Sequence, residues 1–405
     1  MEWTSALGRC AKRLHQAAGA RHHVASPLGA WLLLALVAKA APPGHALAEA
    51  LGMDSDEAAA VAGALLDQPH SMVAAASAVW HGPTANVSGL AGWWAGLPST
   101  TSAGPLPGRP ELDRWVQDHS LGLIGSMPEI SPQALLTLAS VLATKVSWRT
   151  PFEDTPAADL GRDTPWASRL RRVLRTPDKG HRMFIARSEQ AGEIIVHVAS
   201  GEPAEDDDQA SDGDALEVVS VAAAPGVDPA QVLAAAYEIA PACVSNRQPK
   251  SQVSLYKLPL GETPLWTIRE TEVHGATERY SAVLPCWSAN STHDLSVAGP
   301  GFPAAADVLA GLLGAESLPH QALQTAVARY GRYGFEAAGL TTMASYRSGG
   351  LGPLLAREAE LRFAHPYAVV AVAAQPSAPG RTTGPWHGVP VFSAWVSEPE
   401  DLFER

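Results

Sequence analysis

Several side chains in this sequence are of types that bind metal ions, but their spacing is not that of a metal site. The pair His22-His23 lies just before Ser26, and paired histidines at a helix entrance are more often solvated or capping residues than ligands. The acidic stretch from Glu202 to Asp214 lacks the glycine and glutamate spacing of a calcium loop, so we interpret it as a solvated hairpin loop between two apolar strands. We expect no metal site.

The sequence also lacks the usual motifs of an enzyme. It contains no GxSxG, no HExxH and no Gly-rich phosphate loop followed by lysine. The cysteines Cys10, Cys243 and Cys286 are far apart and form no CxxC pair, which predicts buried free thiols rather than a disulfide framework. We therefore expect a protein that is not an enzyme and needs no cofactor.

Composition narrows the class of partner. The chain has 405 residues, 46% of them hydrophobic and 17% charged, with a formal net charge of -12. A negative chain is a poor ligand for nucleic acid, which requires a surplus of Lys and Arg on one face. The apolar run from Ala30 to Ala38 is too short to span a bilayer and too far into the chain for a usual signal peptide. We expect no membrane contact and a cytoplasmic location by default, with an extracellular one also open.

Hydrophobic periodicity divides the chain into a helical part, about 1–136, and a sheet-rich part, about 137–405. A helical first part followed by strands, without strict alternation and without a linker, predicts an α+β fold in a single domain. The predicted helices are Thr4–Ala18, one opened by Ser26-Pro27, Ala46–Leu51, Asp54–Leu66, Met72–Trp80, Pro110–Leu123 and Pro132–Leu136. The predicted strands are Ala139–Lys145, Glu193–Val198, Leu216–Ala222, Val253–Leu258, Tyr280–Leu284, Tyr367–Ala373 and Val389–Val396.

Four segments, in order along the chain, resemble the motifs of the serpin family. The segment Val24–Leu28 is similar to the FSPxS opening of that family's central helix, and Leu142–Phe152 is similar to its FKGxWxxPF pattern. Ala326–Gly339 resembles the buried strand that leads into the family's GTEAAG hinge. Leu361–Tyr367, followed by two apolar strands that end before Pro399, resembles the terminal FxxxHPF pattern.

This resemblance implies a serpin-like fold over residues 1–405, with three β-sheets, about eight or nine helices and an exposed reactive loop at about 334–360. It also implies a function, that of a serine-type endopeptidase inhibitor. In the family a protease cleaves the loop and forms an acyl-enzyme, and the freed segment inserts as a central strand before the ester is hydrolysed. Ser26 and Trp148 are implied as parts of the structural switch, with Trp148 at the top of the main sheet where the new strand enters.

The implied hinge and insertion strand has a suitable alternation of side chains. Successive strand residues point to opposite faces, and a charge carried into a buried face costs several kcal/mol unless it is paired. The residues on one face are Phe335, Ala337, Gly339, Thr341 and Met343, and none is charged. The remaining hinge residues are Gly334, Glu336 and Ala338, and Glu336, which is the charged one, falls on the opposite face.

Spacing from the hinge leaves two candidates for the bond that the protease cuts, Arg347-Ser348 and Ser348-Gly349. We favour Arg347, because a carboxylate at the base of a trypsin-like specificity pocket matches a guanidinium. The glycines that follow Ser348 would keep the segment accessible. The partner is then a trypsin-like serine protease, although an ordinary surface arginine in a Gly-rich loop fits the same residues.

Five residues depart from the family pattern and support an alternative. Phe335 stands where a small Thr or Ser is usual, and we expect it to slow or block insertion, as we do for the bulky Leu340. Arg332 replaces a hinge Glu, Ser140 an Asn and Gln324 a core His. The alternative is a non-inhibitory serpin-fold protein with a degenerate hinge that serves binding or interaction. In either case we expect a monomer, since insertion into another molecule's sheet produces polymers.

Overall fold

Nine α-helices form in the part of the chain that the computed structural model describes, which is residues 2–131, 133–161, 163–203, 213–244, 249–273, 276–296, 299, 301–335, 354–377 and 382–402. They are α1 (Glu2–Ala18), α2 (Pro27–Ala38), α3 (Ala46–Leu51), α4 (Ser55–Asp67), α5 (Ala91–Trp94), α6 (Arg109–His119), α7 (Pro165–Arg169), α8 (Pro229–Ile239) and α9 (Phe302–Leu313). Helix α2 begins where Ser26 accepts a hydrogen bond from the Gly29 amide and Pro27 occupies the first turn, and its apolar surface is buried nearly all round.

The same residues form twenty β-strands. They are β1 (His23–Ala25), β2 (Ala74–His81), β3 (Ser102–Pro105), β4 (Leu136–Ala143), β5 (Val146–Trp148), β6 (Glu153–Pro156), β7 (Arg172–Arg175), β8 (His181–Ser188), β9 (Gly192–Pro203), β10 (Ala215–Ala223), β11 (Gln252–Val253), β12 (Gly261–Glu262), β13 (Trp266–Val273), β14 (Glu278–Leu284), β15 (Trp287–Asp294), β16 (Leu323–Tyr330), β17 (Gly334–Phe335), β18 (Leu354–Arg362), β19 (Tyr367–Ala374) and β20 (Val389–Val396).

These strands form three sheets. Sheet 1 has eleven strands in the order β1-β20-β19-β10-β9-β5-β17-β16-β15, with β8 and β11 joined to it through β9. Sheet 2 has six strands in the order β12-β13-β18-β14-β7-β6, and sheet 3 has three in the order β3-β2-β4. The α+β class, the three sheets and the expected number of helices are confirmed.

The core lies on both faces of sheet 1. Strands β10, β19 and β20 are buried along their whole lengths, since α8 packs on one face with Val196, Val219 and Val370 and the larger hydrophobic cluster with Trp31 and Trp148 covers the other. Strands buried on both faces contain continuous apolar runs, which is why the predicted strand Val389–Val396 matches β20 in both bounds.

Four sequence predictions of local structure are wrong. Met72–Trp80 was expected to be a helix, but β2 occupies Ala74–His81 and pairs with β4 and β3; pairing with neighbours outweighs the helix propensity of its alanines. Pro132–Leu136 was also expected to be helical, whereas residues 133–135 are not helical and β4 begins at Leu136. Helix α6 ends at His119 rather than Leu123, and Val253–Leu258 is mostly a 3-10 turn.

Two further expectations concern the loop around the acidic stretch and the relation to membranes. Residues 204–212 lie outside the described part, and β9 and β10 on either side pair antiparallel, as a hairpin requires.

Among the helices of the described residues, none has the length and apolar character needed to cross a membrane.

Candidate functional site

In the described part of the chain, the candidate site is a gap between β4, which is paired on one side only, and β16, which apart from its end at Tyr330 is also paired on one side only. Within the described residues β4 is paired with β2, β16 is paired with β15, and no ladder joins β4 to β16. A cavity of about 40 Å³ lies between them, lined by residues 140–144 and 324–328. We call this gap the slot. Unpaired strand edges that face each other can accept a further strand.

A two-residue strand already occupies the entrance of the slot. Strand β17 lies between β5 and β16 and runs antiparallel to both, with Gly334 opposite Ser147 and Phe335 opposite Val146 and Tyr330. Phe335 is 4% exposed, and its ring centroid lies 6.3 Å from that of Trp287. The core therefore accommodates the Phe335 ring in the uncut chain, whereas its expected effect on insertion stays a prediction.

Trp148 and Arg332 fix the turn between β16 and β17. The Trp148 amide donates a hydrogen bond to the carbonyl of Tyr333 at 2.8 Å, and its indole Nε1 donates to the carbonyl of Gly331 at 2.8 Å. Arg332 donates from Nε to the carbonyl of Phe152 at 3.0 Å and forms an ion pair with Asp154 at 3.7 Å. Arg332 thus anchors the top of the hinge itself, although it differs from the residue that the family pattern has there.

A second set of contacts joins both sides of the slot to the start of α2. Ser26 donates from its amide to Gln324 Oε1 at 3.0 Å, and Gln324 Nε2 donates back to the Ser26 carbonyl at 2.7 Å. The Ser26 hydroxyl donates to the Val391 carbonyl at 3.0 Å. On the other side of the slot, the Ser140 hydroxyl donates to the carbonyl of Gly29 at 2.9 Å. The two departures Ser140 and Gln324 therefore hold β4 and β16 to the same helix.

The segment 120–128, which follows α6, covers the slot, and we call it the strap. Leu123 and Ile124 line the slot, and a second cavity of about 360 Å³ lies between the strap and β15 and β16. Two groups on α6 hold the strap at Met127: Arg109 Nη2 donates to its carbonyl at 2.6 Å, and Asp113 accepts from its amide at 2.9 Å. Any strand that enters the slot must pass beneath the strap.

A neutral histidine pair supports the entrance. His181 Nε2 donates to the carbonyl of Thr150 at 2.7 Å, which leaves its Nδ1 to accept from His197 Nε2 at 2.9 Å. Burial lowers the pKa of His181; burial lowers the pKa of His197 well below its ordinary value, and the neighbouring His181 adds to this because two charges in the pair would repel each other. Both rings are therefore uncharged near neutral pH and hold the segment that contains Trp148.

The structure describes the positions of some of the predicted site residues and not of others. Gly334, Phe335, Ser26 and Trp148 all lie at the slot. Outside the described residues lie Glu336, Ala337, Ala338, Gly339, Thr341, Arg347 and Ser348. Sequence reasoning did not find the contacts of Gln324, Arg332 and the strap, because they join residues that are far apart in the chain. Only the ion pair of Arg109 and Asp113 could have been noticed, since these residues are four positions apart on α6.

Gln324 offers a direct test of the slot. Replacement of Gln324 by alanine removes both hydrogen bonds to Ser26 and leaves a buried amide without its partner, so the free energy of unfolding should fall by about 1–3 kcal/mol. Urea unfolding of the two proteins at pH 7.5 measures this. Thr325→Ala, a neighbour that lacks these bonds, is the matched control and should change stability by under about 1 kcal/mol. Equal stability of Gln324→Ala and the parent would contradict the assignment.

Within the described residues, no three histidine, cysteine or carboxylate side chains are arranged to hold a metal ion. His22 and His23 are used structurally: His22 Nε2 donates to the carbonyl of Ser288 at 2.8 Å and His23 Nδ1 donates to that of Arg21 at 2.8 Å.

Comparison with known proteins finds similarity in structure but not in sequence. No family model matches the chain, and no curated protein matches it in sequence. Serpin48 of the insect Tenebrio molitor has a similar structure, with a TM-score of 0.59, 12% identity and 98% of each chain covered. AtSerpin1 of Arabidopsis, in its native stressed conformation, has a TM-score of 0.56 and 13% identity over 98% of this chain and 99% of its own. Human thyroxine-binding globulin in complex with thyroxine has a TM-score of 0.56 and 13% identity over 98% of each chain.

Proposed function

Because the chain has the serpin fold, we propose that it inhibits a serine protease by presenting residues 336–353 as bait and inserting the cleaved segment into the slot. The observation that carries this proposal is β17, a strand that has already started between β5 and β16 and pairs antiparallel with both. The chain acts in this role as a monomer, without a cofactor and without turning over a substrate of its own.

The proposed insertion continues the two registers at β17 through the residues that follow Phe335. Continued along β16, they place Ala337 opposite Ala328 and Gly339 opposite Ala326, which are 2% and 3% exposed. Continued along β5 and β4, they place Ala337 opposite Thr144, which is 3% exposed. Residues opposite each other in a sheet share a face, so the uncharged side of the hinge meets the buried side of the slot.

The same registers direct Glu336 to solvent. They place it between Arg329 on β16 and Lys145 beside β4, both of which are exposed. A carboxylate beside two cations on an exposed face is favourable by a few tenths of a kcal/mol to about 1 kcal/mol. Both faces of the inserted strand are thus suited to their surroundings.

Insertion is favourable because it pairs two strand edges at once. A net gain of about 0.5–1.5 kcal/mol per backbone hydrogen bond gives on the order of 10 kcal/mol for a strand of about ten residues that is bonded on both sides. Before cleavage the segment is tethered at both ends, and cutting it releases this energy. A protease still esterified to the cut end would be carried along and held away from the geometry that hydrolysis requires.

We propose Arg347-Ser348 as the bond that is cut, with Ser348-Gly349 as the other candidate. An arginine before the cut selects a trypsin-like protease, since its guanidinium pairs with a carboxylate in the specificity pocket. Replacement of Arg347 by alanine separates the two: it should abolish cutting by trypsin at 347, whereas cutting after Ser348 would need a protease with a small pocket.

The test of the proposed function mixes the protein with sub-stoichiometric trypsin and examines the mixture on a denaturing gel. We expect an SDS-stable covalent complex, which Arg347→Ala should not form, and a large rise in melting temperature after the loop is cut. Cleavage near Arg347 without a covalent trypsin complex and without a rise in melting temperature would contradict the inhibitory function.

A second candidate is a non-inhibitory binding protein. Human thyroxine-binding globulin, solved with thyroxine bound, covers this chain as fully as the serpins do and has a similar TM-score. If cleavage neither traps trypsin nor stabilises the chain, a binding function without inhibition is better supported than protease inhibition.

A further inference from the structure

The strand that follows the bait segment, β18, is paired on both sides from Arg357 to Leu361. It pairs antiparallel with β13 from Trp266 opposite Leu361 to Val273 opposite Leu354. It pairs parallel with β14 from Glu278 opposite Arg357 to Val283 opposite Arg362. β18 is therefore an interior strand of sheet 2, because the hairpin of β12 and β13 covers what would otherwise be its open edge.

Arg357 reinforces this pairing near the start of β18. Its Nη1 donates to the carbonyls of Leu255 and Leu258, each at 2.8 Å. Its Nε and Nη2 lie 3.3 Å from Glu270 on β13, and its guanidinium stacks over the ring of Tyr256 at 5.0 Å. A single side chain therefore ties β18 to β13 and to the turn that precedes β12.

Arg362 makes a similar connection at the other end of β18. It donates to Glu262 at 2.6 Å and to the carbonyl of Thr263 at 2.7 Å, and its side chain is only 9% exposed. Between the two arginines, Glu360 pairs with Arg175 of β7 at 2.9 Å. Hydrogen bonds that involve a charged group are stronger than those between neutral groups, so β18 is costly to remove.

We infer that the hairpin of β12 and β13 is a lock that keeps the uncut chain from inserting its own bait segment. The inference rests on the proposed function. The 18 residues from 336 to 353 connect Phe335 in β17 to Leu354 in β18. While Phe335 and Leu354 are both fixed in their sheets, the chain that enters the slot must also return to β18. About as many residues are needed for the return as for the entry, so at most about half of the segment can insert. Deeper insertion without cleavage requires β18 to leave sheet 2, and the lock opposes this.

The uncut protein should therefore keep its bait segment outside the slot, and thus accessible to a protease, over long times. Proteolysis between Phe335 and Leu354 frees the N-terminal part of the segment without disturbing β18. The lock thus makes cleavage the trigger of insertion.

The test compares uncut parent protein with the variant Arg357→Ala/Arg362→Ala during prolonged incubation below the melting temperature. Native gels, melting temperature and yield of trypsin complex report conversion to an uncut, stabilised, inactive form. We expect the variant to convert at least about tenfold faster than the parent. Arg187→Ala is the matched control, because Arg187 is an exposed arginine that pairs with Glu193 in sheet 1; it should convert at the rate of the parent.

If the double variant does not fold, Tyr256→Phe is a milder one, since it removes only the hydroxyl that bonds the carbonyls of Thr277 and Leu355. Hydrogen exchange gives an independent readout: β18 amides of the parent should exchange far more slowly than those of the edge strand β12. Two results would overturn the lock: equal exchange rates in β18 and β12, or a double variant that converts no faster than the parent. If the cut parent still gains stability, the proposed function remains supported. A cut parent that gains no stability would instead overturn both.

Discussion

Replacing Ala337 by arginine is expected to abolish the proposed inhibition and to leave a chain that the protease cuts as a substrate. An inserted strand that continued the registers at β17 would bring position 337 between Ala328 and Thr144, which are both buried. A guanidinium carried into this position loses its hydration without a partner, at a cost of several kcal/mol. In the proposed mechanism cleavage precedes insertion, so the rate of cutting should be little changed, whereas the fraction of protease trapped should fall at least about tenfold.

Glu336→Gln is the matched control for this result. Continued in the same registers, position 336 would lie opposite Arg329 and Lys145, both of which are exposed. A neutral amide there keeps its hydration, so trapping should persist. The ratio of covalent complex to cleaved protein on a denaturing gel measures both variants. Equal trapping by Ala337→Arg and the parent would show that the segment does not enter the slot in this register.

The sequence was most informative about elements that are buried on both faces. The run Val389–Val396 could be recognised because a strand covered on both sides must be apolar throughout. The Ala-rich stretch that forms β2 was assigned to a helix, because its strand character depends on pairing with β4 and β3, which are 21 or more residues away in sequence. Local propensity carries no information about such partners.

The contacts of the candidate site are also between residues far apart in sequence. Gln324, Ser140 and Arg332 looked like losses when they were compared with the family pattern, because the pattern names residue types and not contacts. In the structure each makes a hydrogen bond that holds the slot or its entrance. The lock on β18 could not be predicted either, since β13 was not recognised as a strand and its pairing with β18 joins segments about 90 residues apart.

Acidification is expected to destabilise the folded protein strongly between pH 6.5 and about 4. A chain of hydrogen bonds runs from Tyr237 through Ser393 to His15, and from His15 Nδ1 to His23 Nε2 at 2.7 Å. The chain ends where His23 Nδ1 donates to the Arg21 carbonyl at 2.8 Å. Because burial keeps both rings neutral near pH 7 and the Arg21 carbonyl can only accept, every member of the chain has a fixed donor or acceptor role.

The direction of the effect follows from the pKa values. Burial lowers the pKa of His23 from 6.5 to about 4, and burial, with the neighbouring histidines adding to it, lowers the pKa of His15 well below its ordinary value. The unfolded chain therefore binds protons that the folded chain does not, and stability that is complete above pH 6.5 is lost as the pH falls. At pH 5 His23 alone accounts for about 2 kcal/mol, and His15 adds to it.

Glutamine at position 23 isolates this contribution, because an amide can accept from His15 and donate to the Arg21 carbonyl without titrating. In urea unfolding at pH 7.5 and pH 5, His23→Gln should show a loss of stability about 2 kcal/mol smaller than that of the parent. His320→Gln changes an exposed histidine and should leave the loss unchanged. If His23→Gln and the parent lose the same free energy on acidification, His23 already carries a proton in the folded state. The direction of the hydrogen-bond chain between α1, β1 and β20 would then have to be reversed, with Tyr237 as its acceptor.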